Sequence, residues 1–542
     1  MKKITIFLFL FVSVLTNAQK VTVSGKIVDK NQKILAGATV LVKETNQGLS
    51  SDLDGNFSFR LNKGSFTIQV SYIGFKTIEK NVYLDKDKVI TIVLYEDDNV
   101  LDEVLVSAVR ATSNIPVTYS NLSKKELAKR NLGQDIPVLL NYLPSVISSS
   151  DAGAGVGYTY LNVRGSNSER INVTINGIPY NDPESHGTFW VNLGDFASST
   201  ENLQLQRGVG TSTNGSGAFG ASLNILTDAI SENAGGEISN SFGSYGTRKH
   251  TVKFTTGKIN EHLEVSGRFS NIHSDGYVDR AFTDLKSYFL QGAYVDDNRL
   301  IKAITFSGHE VTYQSWYGLE DLDLLENDRT YNISGMYTDE DGNDRFHENE
   351  EDNYQQDHYQ LHWNERINNN WSTNLGLNFT HGEGYFEQYK EDEAFADYDL
   401  QEIAIGGETI NTTDLIRRRW LDNDFYVINA NANFKKNTLN MTFGGSYSIY
   451  DGDHFGEIIW AQYASNSEIN DQYYNGNGKK TDFNLFSKAT FKLNEKISLY
   501  GDLQLRLVNY KTKGLTSDRI NLLVDEHYNF VNPKAGITYN FN

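Results

Sequence analysis

The chain has 542 residues, with 69 Asp or Glu against 49 Lys or Arg, and a formal net charge of -20. Nucleic-acid-binding proteins concentrate positive charge, so this balance argues against nucleic acid as a partner. The sequence has 45 Gly, 31 Tyr and 29 Phe but 6 Pro and no Cys, which excludes disulfide bonds and favours strands over helices.

Residues 1–18 have the pattern of a secretory signal peptide. Lysines follow Met1, an almost wholly apolar run extends from Ile4 to Leu15, and small residues end at Ala18. The run is well below the ~20 residues that a spanning helix needs, so a membrane anchor is the weaker alternative. No later stretch could form a spanning helix, so a membrane location would require a β-barrel.

Residues 19–96 are predicted to form a small β-sandwich. Val21 to Val28 alternates between apolar and polar residues, and Asp54-Gly55-Asn56 marks a turn between later strands. The order G-K-I-V-D, L-A-G-A-T-V and S-D-L-D-G-N-F-S-F resembles the carboxypeptidase-regulatory-like domain. The segment contains neither His nor Cys, so we expect a binding or spacer module and no zinc-dependent peptidase.

Residues 97–108 combine an acidic linker with an extended, alternately apolar octapeptide, LDEVLVSA. A free strand of this kind can be captured by a partner as an added strand of its sheet. Taken alone, the segment is also an ordinary strand.

Residues 109–228 are rich in glycine at tight turns beside short apolar runs. Two short helices are predicted, one that a capping box starts at Ser123 and that ends near Asn131, and one over Gln134 to Asn141. Three motifs follow in order, R-G, I-N-G-I-P and R-G with a glycine-rich turn; their defining residues are Arg164, Gly165, Asn176, Gly177, Pro179, Arg207, Gly208 and Gly220. Their order and spacing resemble the plug domain of TonB-dependent outer-membrane receptors.

The resemblance implies roles for several residues. It identifies the octapeptide as the TonB box, formed by Leu101, Asp102, Glu103, Val104, Leu105, Val106, Ser107 and Ala108. It implies that Arg164 and Arg207 form ion pairs between the plug and the barrel. His186 is a candidate ligand contact at the plug apex.

From residue 229 to 542 the sequence alternates over long segments, as a transmembrane β-barrel requires. Between Ile497 and Leu507, one face carries Ile and Leu while the other carries Ser, Tyr, Asp, Gln and Arg. A soluble sandwich alternates in the same way, but its strands are about half as long. We predict twelve strands, with short turns interleaved with long loops at 314–353, 383–421, 453–479 and 512–527. Short turns belong on the periplasmic side of such barrels.

The resemblance implies a plugged barrel of twenty-two strands, so twelve would be a part of it. We therefore expect an incomplete barrel, with edge strands near 236 and 541 left unpaired. The predicted fold class is mainly β: an N-terminal β-sandwich, a mixed α/β plug and a partial antiparallel barrel.

Candidate chemical sites are few. The acidic loop 314–353 could hold Ca²⁺, but it lacks the EF-hand order, so a solvated loop is favoured. His358 and His362 share one strand face without an apparent third ligand, so lumen-facing polar residues are favoured over a metal site. We find no H-E-x-x-H, G-x-S-x-G or Walker motif, and neither catalysis nor a cofactor is predicted.

The sequence thus predicts an outer-membrane transporter with its N-terminal domain in the periplasm. The expected partners are a TonB-type energy-coupling protein, a small chelate or vitamin-like ligand and outer-membrane lipid, with a surface lipoprotein as a further candidate. By resemblance, the cargo is an iron chelate such as a siderophore or haem, while oligosaccharide, cobalamin and copper complexes stay open. The rival classes are a passive porin and a surface adhesin that does not transport.

Overall fold

The computed structural model describes residues 20–541, apart from 30, 31, 33, 36, 53, 73, 74, 95–109, 113, 114, 215–218 and 495. The predicted signal peptide and TonB box lie outside the described residues. The chain divides into two compact units, Met1–Val100 and Leu101–Asn542. None of the described helices is long and apolar enough to cross a membrane.

The first unit is the predicted β domain. Its strands are β1 (Val21–Asp29), β2 (Thr39–Val42), β3 (Gln47–Ser50), β4 (Asn56–Leu61), β5 (Gly64–Tyr72), β6 (Phe75–Leu84) and β7 (Lys88–Leu94). They form two sheets, with orders β4-β1-β7 and β3-β2-β5-β6. Inward residues of both sheets, such as Val23, Ile27, Val40 and Ile68, share one buried core.

The second unit begins with the plug. Its strands are β8 (Thr118–Ser123), β9 (Val146–Ser150), β10 (Thr159–Val163), β11 (Ile171–Ile175), β12 (Ile178–Pro179), β13 (Thr200–Arg207) and β14 (Ala221–Thr227). Its helices are α1 (Lys124–Ala128) and α2 (Ile136–Leu140), with 3-10 turns at Ser168–Arg170, Trp190–Leu193, Phe196–Ser199 and Ser212–Asn214. The main sheet has the order β12-β11-β14-β13-β8.

Both predicted plug helices are present but shorter than expected. Ser123 caps α1 through a capping box, because its backbone N–H donates to the Glu126 carboxylate at 2.8 Å. The helix ends at Ala128, three residues before the predicted end.

Twelve antiparallel strands, the wall strands, follow in sequence order as one sheet. They are β15 (Gly235–Phe242), β16 (Arg248–Thr255), β17 (Leu263–Ser274), β18 (Thr283–Val295), β19 (Arg299–Tyr313), β22 (Glu351–Arg366), β23 (Trp371–Ala394), β26 (Thr412–Lys436), β27 (Leu439–Ala461), β28 (Asp471–Lys492), β29 (Ile497–Leu515) and β30 (Asn521–Tyr539). The connections contain α3 (Leu322–Asn327), a 3-10 turn at Phe395–Tyr398 and the two hairpins β20 (Met336–Thr338) with β21 (Asp344–Phe346) and β24 (Ile403–Ile405) with β25 (Glu408–Ile410).

The predicted number of wall strands is confirmed, and the edge strands β15 and β30 do not pair with each other. Several strands are longer than predicted. The predicted loop 383–421 shrinks to 395–411, because β23 and β26 continue as a paired ladder. Charged residues in the outer parts of these two strands interrupt the alternation of apolar and polar residues. Backbone pairing nevertheless continues through them.

Burial on the wall is inverted relative to a soluble protein. Along β29, Leu503 is 53% exposed while its neighbours Asp502 and Gln504 are 4% and 5% exposed. Apolar side chains therefore point away from the protein and polar ones point toward the plug, as expected for a strand wall in lipid. This observation decides against a soluble sandwich.

The plug lies within the curve of the wall. It contacts inward-facing residues from Lys249 on β16 to Lys534 on β30. The plug core also includes Phe289, Ile304 and Phe306 of β18 and β19.

Candidate functional site

A buried carboxylate joins the plug to the wall. Asp195 adopts left-handed backbone with φ of 52°, which Asp tolerates better than most residues. Its carboxylate forms ion pairs with Lys249 of β16 at 2.6 Å and with Arg268 of β17 at 3.5 Å, and all three side chains are almost fully buried.

Hydrogen bonds from both sides complete the shell around Asp195. Ser198 of the plug and Thr251 of the wall each donate at 2.6 Å, and Ser270 of the wall also donates. Burial by itself would raise the pKa of Asp195, but the charges of Arg268 and Lys249 hold it well below its usual range. The plug is thus held by a charged contact at neutral pH.

The plug tip, residues 181–187, makes a second polar contact with the wall. The Glu184 carboxylate accepts from the Tyr450 and Tyr510 hydroxyls at 3.0 and 2.9 Å, and His454 Nε2 lies 2.7 Å away. Burial alone would raise the pKa of Glu184, but the bonds from His454 and the two tyrosines lower it below its usual value. Strands β27 and β29 therefore both contact the Glu184 side chain.

Arg164 and Arg207 do not make the predicted ion pairs with the barrel. Arg164 Nη2 donates to Thr118 Oγ1 at 3.1 Å, and Arg207 Nη1 donates to Ser120 Oγ at 3.0 Å. Neither forms an ion pair anywhere in the described part of the chain. The prediction is wrong because both guanidinium groups bond to β8 within the plug; Arg207 lies on β13, which is paired with β8. The ion pairs between plug and wall are made instead by a plug carboxylate, Asp195, with two wall cations.

The I-N-G-I-P motif is both a turn and a wall contact. Asn176 and Gly177 have φ of 53° and 79°, as a tight hairpin between β11 and β12 requires. Asn176 Nδ2 donates to Gln360 Oε1 at 3.2 Å, and the Gly177 carbonyl accepts from Asn429 Nδ2 at 2.9 Å. The motif therefore touches β22 and β26.

The other motif residues serve the plug itself. Gly165 and Gly208 have φ of 77° and 84°, which only glycine adopts readily. A Cβ on Gly220 would lie 2.3 Å from Ser166 Cβ, so this glycine permits close packing. Pro179 pairs at the short edge strand β12, where its missing N–H is tolerated.

His186 is exposed, and its backbone N–H donates to the Asp182 carbonyl at 3.0 Å. It borders a small polar cleft with Lys480 and Arg506. Partial desolvation, with those two cations, lowers the pKa of His186. It does not line the larger cavity described next, and its predicted ligand contact stays a prediction.

An aromatic cavity of about 530 Å³ lies between the plug tip and the wall. Ten aromatic residues line it, among them Tyr158, Tyr180, Trp316, Tyr354, Phe386 and Tyr474. The Trp316 ring centroid lies 5.5 Å from that of Phe386 and 5.7 Å from that of Tyr158. The cavity lies on the long-loop side, because Trp316 lies in the long connection between β19 and β22 and Asp352 lies at the start of β22.

The polar lining of this cavity is mostly acidic. The lining includes the carboxylates of Asp182, Glu310 and Asp352 and one guanidinium, from Arg419. His454 also lines the cavity but is engaged by Glu184. A cavity with an aromatic wall and a few polar groups is the usual form of a small-ligand site.

Metal-ligating groups do not assemble in the described part of the chain, where no three His, Asp or Glu residues are placed to hold an ion. In the acidic loop, Asp339 bonds to Asn343 and to Arg345 at 2.8 Å each. His358 stacks on Phe306 with ring centroids 4.3 Å apart.

The residues that join plug and wall were not predicted from the sequence. Asp195 carried a usable signal, since it is the one charged residue between His186 and Glu201, and a lone charge in an apolar stretch usually has a buried partner. Glu184 carried no such signal, because Asp182 and His186 stand close to it in the sequence.

Comparison with protein families supports the two N-terminal assignments. Residues 23–106 match the CarboxypepD_reg-like domain, and residues 111–222 match the TonB-dependent Receptor Plug Domain. Together with the wall of β-strands, the plug fits an outer-membrane location.

Curated relatives cover part of the chain. It is 30% identical over 161 residues to TonB-dependent receptor SusC of Bacteroides thetaiotaomicron, which is 29% of this chain and 16% of that protein. It is 27% identical over 307 residues to TonB-dependent receptor P26 of Formosa agariphila, which is 55% of this chain and 27% of that protein. The matched regions thus span about a quarter or less of these relatives.

Solved structures share the fold. The ferric yersiniabactin uptake receptor FyuA from Yersinia pestis superposes with a TM-score of 0.58 at 14% identity, over 79% of this chain and 62% of that chain. The ferric-catecholate import receptor Fiu from E. coli K12 superposes with a TM-score of 0.59 at 16% identity, over 80% and 65%.

Proposed function

The chain carries the plug domain of a TonB-dependent receptor inside a wall of β-strands, and from this premise we propose that it is an energised uptake receptor of the outer membrane. The plug obstructs the lumen, and a ligand binds in the aromatic cavity on the long-loop side. The contact of Asp195 with two wall cations supports a plug that stays in place until it is pulled.

The lining of the cavity favours an oligosaccharide as the ligand. Sugar rings present flat C–H faces that pack on aromatic side chains, and their hydroxyls donate to carboxylates. Tyr158, Trp316 and Phe386 provide such faces, and Glu310 and Asp352 provide such acceptors. The iron chelate expected from the family resemblance is the second candidate, but an anionic chelate would meet three carboxylates and one guanidinium.

Energy for transport has to come from the inner membrane through a TonB-type partner. Residues 101–108 are the proposed coupling segment, captured by strand addition to the partner's sheet. The CarboxypepD_reg-like match runs to residue 106, so it overlaps most of this segment. The N-terminal domain is placed in the periplasm by this scheme.

The deciding experiment is growth of a deletion strain on single glycan, iron and cobalamin sources, with complementation by variants. The wild-type gene should restore growth on a glycan, and Trp316→Ala should not, because it removes a stacking face. Trp363→Ala is the matched control, since Trp363 lies on the outer face of the wall and is 44% exposed.

Deletion of residues 101–108 tests the coupling step. It should abolish growth on the transported ligand while leaving binding by the purified protein intact. Unchanged growth would favour a passive porin. A defect restricted to iron sources would refute the glycan assignment and favour the chelate.

A further inference from the structure

Two buried acceptor atoms at the base of the aromatic cavity have no hydrogen-bond partner in the described part of the chain. They are Glu310 Oε2 on β19 and Asn192 Oδ1 in the plug. Glu310 is 1% exposed and Asn192 is 5% exposed, and both line the cavity. A buried acceptor without a donor is costly, so these atoms indicate a group that arrives with the ligand.

The fold brings the two residues to neighbouring positions along β19. A Cβ on Gly308 would lie 2.0 Å from the Asn192 carbonyl oxygen, so the missing side chain lets the plug backbone lie directly on β19. Glu310 is two residues further along the same inward face. Its cross-strand neighbour is Tyr354, and Asp352 is diagonal to it on β22.

A second carboxylate lies beside this position. The Tyr158 hydroxyl donates to the Asp352 carboxylate and is also a polar neighbour of Glu310. A hydroxyl has one proton to donate, so Tyr158 cannot satisfy both acids. The lining cation, Arg419, has its own buried Nε without a partner, and its guanidinium lies 5.9 Å from the Phe386 ring centroid.

From this arrangement we propose that Glu310, Asp352 and Asn192 form a subsite for an ammonium group, and that the ligand is a cationic, amine-bearing sugar. The inference rests on the proposed function, because it specifies the charge of an oligosaccharide in the same cavity. An ammonium group has three donors and no acceptor, which matches two carboxylates and an amide oxygen. The surrounding aromatic rings favour a cation as well.

The test compares two probes that differ in charge. A hexamer of glucosamine and its fully N-acetylated counterpart are titrated calorimetrically into the purified full chain in detergent, at a pH where the amines are protonated. We expect the amine form to bind about tenfold more tightly, since a charge-assisted hydrogen bond replaces a neutral one. Glu310→Gln should bring the affinity ratio of the two probes close to one.

Two further variants control for structure. Glu264→Gln removes a buried wall carboxylate that bonds to Thr255 and Gln291 and does not line the cavity, and it should keep the wild-type ratio. Asp352→Asn retains an acceptor for Tyr158 while removing one charge, and it should lower the ratio partly. An Asp352→Asn result therefore supports the subsite even if Glu310→Gln fails to fold.

The outcomes separate the two proposals. Equal affinity of the wild type for both hexamers, or equal loss of both in Glu310→Gln, would overturn the ammonium subsite while leaving an oligosaccharide receptor intact. Binding of a ferric citrate complex with no binding of either hexamer would overturn both.

Discussion

Lys249 Nζ on the wall lies 2.6 Å from Asp195 Oδ1 on the plug, and both side chains are buried from solvent. These residues belong to different domains, and Arg268 of the wall forms a second buried ion pair with the same carboxylate. Because the pair is removed from water, the loss of either charge would leave the other buried without a counter-charge.

Asp195→Asn should loosen the plug. The substitution keeps the shape but leaves Lys249 and Arg268 buried without a counter-charge, which costs about 3–5 kcal/mol. Hydrogen exchange of residues 190–199 should accelerate, and the thermal unfolding temperature should fall. Asp525→Asn is the control, since its pair with Lys511 is exposed, and it should leave both measurements unchanged. Unaltered exchange in Asp195→Asn would show that the ion pair does not hold the plug.

Asp151 should make the plug more stable in mild acid. Burial raises its pKa to about 6, although the Tyr160 hydroxyl bonded at 2.9 Å opposes the shift. The unfolded chain has a value of about 3.9, so the folded state binds more protons between these limits. The free energy of unfolding should therefore fall as pH rises from about 4 to 6, by at most about 2 kcal/mol. Asp151→Asn should flatten this dependence in denaturant titrations, and an unchanged slope would contradict the assignment.

Gly308→Ala should disturb the contact between β19 and the plug backbone. The added methyl would lie 2.0 Å from a plug carbonyl, which forces backbone movement and costs about 1–3 kcal/mol. Gly292→Ala on the neighbouring strand is the matched control, because nothing lies within 4 Å of its Cβ position. Thermal unfolding should separate the two variants. Equal temperatures would show that the plug backbone can shift freely.

Glu184→Gln should free the plug tip. It weakens the bonds to Tyr450, His454 and Tyr510, and hydrogen bonds to a charged group are worth about 1.5–3 kcal/mol each. Hydrogen exchange of residues 181–187 should become faster. Glu169→Gln, an exposed plug carboxylate, should leave exchange at the tip as in the wild type. Slower or equal exchange in Glu184→Gln would argue that backbone contacts alone hold the tip.

The sequence predicted the elements well and their ends less well. The capping box at Ser123 correctly marked the start of α1, and twelve alternating segments became twelve wall strands. Ladders such as β23 with β26 extend past their predicted ends, because strand pairing needs a neighbouring backbone and does not need apolar side chains.

The sequence alone determined the glycine turns, the two-faced strands and the order of the domains. The turns depend on steric limits at single residues, and the strands depend on a two-residue period. Both features can be recognised from residues that are close together in the sequence. The tertiary structure decided which charges meet. Glu184 reaches Tyr510 across 326 positions, and the arginines expected to anchor the plug bond inside it. Such pairings depend on strand register and on which face of the plug meets the wall, and no local pattern encodes either.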